Sequence, residues 1–186
     1  MCNLQLPIKQ ELSMTRTPIT IALVVLGLVS IGPAAAHVSL EVPGAAVGST
    51  YKAVLRIPHG CEGKATTAIK VRIPEGFVNV KPMPKAGWDL QTVVSPYQES
   101  YELHGNPLTE GVTEVVWSGG ELPDAYYDEF VFRGTVAATV PAGTTFYFPT
   151  VQLCDGAEEA WIDVTGAEDA EMPAPSLELG PAEATH

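Results

Sequence analysis

The chain has 186 residues, with 22 acidic against 10 basic side chains and a net charge of −12. That length suits one domain with a real core. A surface so negative repels nucleic acid and anionic lipid headgroups and concentrates cations around itself.

Residues 1–36 read as an export leader: basic Arg16, an apolar run over 19–31, a Gly32-Pro33 break and an Ala34-Ala35-Ala36 end. The run is shorter than the about 20 apolar residues of a transmembrane helix. Residues 1–13 are polar, so Met14 is the expected start, which leaves the mature chain unchanged. Loss of Lys9, Glu11 and Arg16 with the leader makes the net charge one unit more negative. Cleavage after Ala36 puts His37 first. A terminal histidine can hold one metal ion through its amine and Nδ1 together, a nitrogen pair that suits Cu(II) best among the divalent first-row ions. The plain alternative is a frayed, solvated terminus.

Beyond His37 the chain alternates apolar and polar residues in short runs, the pattern of strands with one buried face. The first run, 50–57, places Tyr51, Ala53, Leu55 and Ile57 on one side. It leads into Pro58-His59-Gly60-Cys61-Glu62-Gly63, where His59 offers an imidazole and Glu62 a carboxylate; a hydrogen-bonded loop histidine and an exposed acid are the bland reading. Further runs fall at 68–73, 77–80, 87–94, 98–103, 113–118, 130–140, 146–153 and 160–164. Turns are expected at Pro74-Glu75-Gly76, Gly105-Asn106-Pro107, Gly119-Gly120, Pro141-Ala142-Gly143 and Asp155-Gly156, with a rigid loop over 82–87. About nine strands and no helical periodicity predict an all-β antiparallel sandwich with little or no helix. The domain is expected over 37–166, and the Ala-, Glu- and Pro-rich 167–186 as a flexible tail.

Cys2 leaves with the leader, and Cys61 and Cys154 form the expected bridge of an exported, periplasmic or extracellular protein. Two thiolates holding Cu(I) are the alternative. Trp88 and Trp117 read as packing residues, and Trp161 on sequence alone does too. His104 sits in a turn and His186 ends the tail. Asp124, Asp128 and Glu129 around Tyr126-Tyr127 form an acidic loop, read as a solvated face.

Several short motifs occur together in order: His37-Val38-Ser39-Leu40, then Val54 to Cys61, Thr66-Thr67 into Val71-Arg72-Ile73-Pro74-Glu75-Gly76, Lys81-Pro82 with Gly87-Trp88, and the late Cys154 and Trp161. Taken together, the mature chain resembles the YcnI-like copper-binding domain family. The resemblance implies an immunoglobulin-like sandwich of bacterial copper homeostasis that binds Cu(II) through a single-histidine brace. It implies that His37 supplies amine and imidazole, that a glutamate matching Glu62 supplies a carboxylate, and that Trp161 lies beside the metal. The loop departs from members lacking the cysteine, which leaves His59 and Glu62 as competing ligands.

The expected function is therefore capture of copper, with another copper-handling envelope protein as partner, no nucleic acid and no enzymatic activity. A structural or adhesive sandwich with incidental metal is the alternative class. A copper monooxygenase needs a broad flat polymer face that no segment marks, and a serine hydrolase lacks its Gly-x-Ser-x-Gly.

Overall fold

The structure, a computed structural model, describes residues 37–182. The leader expected over 1–36 and residues 183–186, with His186, lie outside them.

Twelve strands build an all-β sandwich: β1 (Ser39–Leu40), β2 (Gly44–Ala46), β3 (Thr50–Ile57), β4 (Thr66–Arg72), β5 (Phe77–Pro82), β6 (Asp89–Leu103), β7 (Asn106–Leu122), β8 (Asp128–Val136), β9 (Thr145–Tyr147), β10 (Thr150–Cys154), β11 (Ala157–Trp161) and β12 (Ser176–Gly180). A four-stranded sheet runs β1-β3-β8-β5 and a five-stranded sheet runs β11-β10-β4-β7-β6. A small third sheet, β2-β12-β9, has one parallel pairing.

Alternation explains the pairing of the two main faces. Tyr51, Ala53, Leu55 and Ile57 from β3 and Phe130, Phe132 and Val136 from β8 meet Ile69, Val71, Val115 and Trp117 of the facing sheet. Phe77 is the hub, with the rings of Tyr51, Phe132, Phe146 and Phe148 all within 5.4–6.4 Å of it. Gly134 makes room for it, since a Cβ there would stand 2.5 Å from the Phe77 ring. Trp117 is fully buried and donates its Nε1 hydrogen to the Met83 carbonyl at 3.1 Å. Trp88 packs edge-on against Phe130, so both tryptophans are packing residues as expected.

Several boundaries differ from the sequence reading. Runs 87–94 and 98–103 are one long strand, β6, on the edge of its sheet, where Pro96 sits at a register shift and costs no ladder bond. Gly119-Gly120 is no turn but lies within β7, where a Cβ on Gly120 would collide with Trp88. The run 146–153 breaks at Pro149 into β9 and β10. The flexible tail is also corrected: β12 pairs with β2 and β9, and Leu177 and Leu179 lie in the core at 0% and 2% exposure. Burial of two leucines and a ladder on both sides outweigh the low-complexity composition.

Candidate metal centre

Past β3, the chain doubles back in a tight turn. The Cys61 N–H donates to the Lys64 carbonyl at 3.1 Å and the Lys64 N–H to the Cys61 carbonyl at 2.8 Å. Glu62 and Gly63 are the two central residues, with φ of 49° and 79°, the left-handed pair that a two-residue hairpin turn of this hand requires. Glycine adopts that conformation freely; Glu62 does so at a cost, and is held exposed at the tip.

Three ties fix this loop, two of them to β10. Cys61 and Cys154 form the expected disulfide, spanning 93 residues. Gln152, buried in the interior, donates from Nε2 to the His59 carbonyl at 2.7 Å and to Thr66 Oγ1 at 2.8 Å. Gly60 lies so close to the returning chain that a Cβ would meet the Lys64 carbonyl oxygen at 1.9 Å and Asp124 Cα at 3.1 Å, which seats the loop against the segment before β8. His59 Nδ1 lies 2.5 Å from the Gly60 carbonyl. A carbonyl oxygen only accepts, so Nδ1 is the donor in this contact and Nε2 is the ring nitrogen left for a ligand.

His37 reaches the same end from the neighbouring strand. β1 pairs with β3 as Ser39 opposite Arg56 and Leu40 opposite Leu55; continued by two residues, that antiparallel register sets His37 beside Pro58, next to His59. Its ring lies 5.4 Å from the Trp161 ring at 57°. The segment Pro173 to Ser176 lines the groove along His37 and Val38, so the stretch expected to be a disordered tail frames the leading candidate ligand. Trp161 is 4% exposed, and its Nε1 is buried with no hydrogen-bond partner.

The residue that sequence reasoning missed is Glu159. It stands two positions before Trp161 on β11, hence on the same face, and opposite Gln152 of β10. Its Oε2 is buried without a partner. Burial pushes its carboxyl above the ordinary range, His59 counteracts this, and the carboxylates of Glu62 and Asp124 push the same way as burial. The charges of His59, Glu62 and Asp124 thus all act on this one carboxyl. The signal was available as period-2 spacing across the Asp155-Gly156 turn.

The four expected metal residues are thus brought to one end in two pairs. His37 touches Trp161; the charges of His59 and Glu62 act on the Glu159 carboxyl; neither forms a hydrogen bond or ion pair with His37. Among the described residues no three His, Cys, Asp or Glu side chains stand as a ready metal cluster. The donor chemistry nonetheless fits a Cu(II) ion, with one free imidazole nitrogen, a second imidazole, and a buried carboxylate oxygen lacking any partner. The cysteines, being bridged, are not thiolate ligands, and the Cu(I) alternative falls. His104 lies with Gly105 in the tight turn between β6 and β7, both at positive φ, and takes no part.

Fold and site together define an immunoglobulin-like sandwich domain with polar donors gathered at one end. The architecture is similar to the crystal structure of an uncharacterised protein from Nocardia farcinica with an immunoglobulin-like fold, at 26% identity and a TM-score of 0.56, covering 77% of this chain and 98% of that one. A type I cohesin, the seventh of ScaB from Pseudobacteroides cellulosolvens, aligns at 8% identity and a TM-score of 0.37, covering 81% of this chain and 95% of that one. No curated protein matches. The family model described as a domain of unknown function, DUF1775, matches residues 37–179, and the chain belongs to that family, the one to which the YcnI-like resemblance pointed. The match begins at His37 and ends within β12, at Leu179. Among the described residues no helix is long and apolar enough to cross a membrane.

Proposed function

We propose that this protein is exported and binds Cu(II) at the end where its mature terminus meets the His59 loop, serving copper homeostasis rather than catalysis. The observation that carries the reading is the contact of His37 with Trp161, a buried tryptophan whose N–H has no partner, two positions along β11 from Glu159, whose buried Oε2 has none either. His37 would hold the ion by amine and imidazole, with His59, Glu62 and Glu159 as the remaining donors and Trp161 shielding the site. Copper here is cargo, and another copper-handling envelope protein is the proposed recipient or source.

Two experiments test this. Amino-terminal sequencing of protein recovered from outside the cytoplasmic membrane is expected to begin at His37. Cu(II) titration of that protein is expected to give one equivalent bound, more weakly in acid, since amine and imidazole must lose protons to bind. Equal affinity at acid and neutral pH would remove these ligands from consideration. Oxygen-dependent cleavage of a polysaccharide by the copper form would instead favour a monooxygenase. Absence of stoichiometric copper would favour a structural or adhesive role.

A further inference from the structure

Few polar side chains are fully buried in this sandwich. Among the described residues they are Thr66, Thr150 and Gln152, and two of the three, Thr66 and Gln152, meet directly beside the His59 loop. Gln152 sits on β10 at 1% exposure, with Ile69 as its ladder neighbour on one side and Glu159 on the other. A buried amide is costly unless its hydrogens are used. Both of them are: one goes to the Thr66 hydroxyl oxygen at 2.8 Å and the other to the His59 carbonyl at 2.7 Å. A methionine of similar length would fill the space without that demand, so packing alone does not call for a glutamine here.

What the second hydrogen holds is the peptide between His59 and Gly60. The next peptide, between Gly60 and Cys61, is held at both of its polar groups: its N–H donates to the Lys64 carbonyl at 3.1 Å, and its carbonyl accepts from His59 Nδ1 at 2.5 Å. The two peptides meet at Gly60, which has no side chain to resist their rotation. Among the described residues Gln152 is the one partner of the His59 carbonyl, so it selects the orientation of the first peptide. Rotation of that peptide would carry the imidazole off the Gly60 carbonyl. A chain of hydrogen bonds thus runs from a buried side chain of β10, through one peptide, to the ring of His59. Histidines that bind metals commonly give their other ring N–H to a backbone carbonyl, which fixes how the ring is turned.

We propose that Gln152 is a positioning residue for this end of the sandwich. It supplies no donor atom itself. By holding the peptide between His59 and Gly60 it keeps the His59 ring bonded to the Gly60 carbonyl, with Nε2 as the nitrogen left for a ligand. The fixing of the ring stands on the hydrogen bonds alone; its consequence for metal affinity rests on the copper reading above.

Two variants separate this role from plain support of the core. Gln152→Met removes both hydrogens at similar volume, with Gln152→Leu in its place should it melt early. Thr66→Val takes away the other acceptor, and so disturbs the same buried pair without touching His59. Proton–nitrogen correlation NMR of the imidazoles in the metal-free protein, in mildly alkaline buffer and with His59→Gln to assign the signals, reads which ring nitrogen carries the hydrogen. The unaltered protein and Thr66→Val are expected to show His59 with its hydrogen on Nδ1 alone, and Gln152→Met a mixture of the two forms. Affinity for Cu(II) is expected to fall about tenfold or more in Gln152→Met, the usual loss when a ligand's support is removed, and to stay unchanged in Thr66→Val. A mixture already present in the unaltered protein, a single Nδ1 form in Gln152→Met, or the same change in both variants would overturn the positioning role. An altered ring with unaltered copper affinity would overturn its consequence for the metal. Unaltered protein that binds no copper would defeat the copper reading instead, and the NMR comparison would still decide what Gln152 does.

Discussion

Trp117 and Trp161 are both buried, at 0% and 4% exposure, yet they sit in opposite kinds of surroundings. Trp117 lies between Phe130 and Phe132 and gives its one hydrogen to the Met83 carbonyl. Trp161 lies against a histidine and gives its hydrogen to nothing, and Glu159, two positions before it on β11, has a buried carboxylate oxygen equally without a partner. A core built only for stability satisfies its polar atoms, because a buried orphan donor costs about 1–3 kcal/mol. The contrast marks the His37 end as the part of the sandwich shaped for something other than holding itself together.

The bridge between Cys61 and Cys154 gives the largest expected effect on that contrast. Replacing both cysteines by alanine frees a loop closure of 93 residues, worth about 4.6 kcal/mol in the chain-entropy view, read as a fall in urea midpoint. The His59 loop loosens with it, so copper affinity should fall while the Trp117 environment in the folded protein keeps its fluorescence. Unchanged copper affinity would detach the His59 loop from the site.

Next in size, the two tryptophans can be set against each other directly. Trp117→Phe strands the Met83 carbonyl and should cost about 1–3 kcal/mol beyond its loss of volume. Trp161→Phe strands no acceptor and should cost clearly less, while removing most of the copper-dependent quenching of fluorescence. Equal costs would show that the Trp161 hydrogen is satisfied in solution.

The smallest effect concerns Glu159. Because its acid form is favoured in the fold, its contribution is present below its ordinary value of 4.5 and is lost as pH rises through the higher folded value. Glu159→Gln removes that loss, so the variant should melt higher than the unaltered protein at pH 7, converge with it in acid, and bind Cu(II) less tightly. A variant that melts lower at neutral pH would mean that the carboxylate is held by a favourable partner.

Much of the sandwich was legible because alternation is a local consequence of one buried face: β3 was read to the residue, and β4, β5, β8 and β11 within a few. What escaped was decided by tertiary contact. β12 has only Leu177 and Leu179 to announce it, between Pro175 and Pro181, and only the sheet it joins shows that they are core. Gly119-Gly120 carries the composition of a turn but exists to let Trp88 lie flat. At the site, His37, His59, Glu62 and Trp161 were visible as donors or by resemblance. Glu159 was passed over because an acid beside another acid on a short strand looks solvated until the opposite strand buries one of its oxygens.

The central claim is that the chain's own first amine helps to hold the metal. It is tested most directly by electron paramagnetic resonance of the Cu(II) form, comparing protein that begins at His37 with protein that retains Ala36. Nitrogen hyperfine structure from amine and imidazole is expected in the first and its loss, with sharply weaker binding, in the second. Identical spectra and affinities from the two proteins would contradict it.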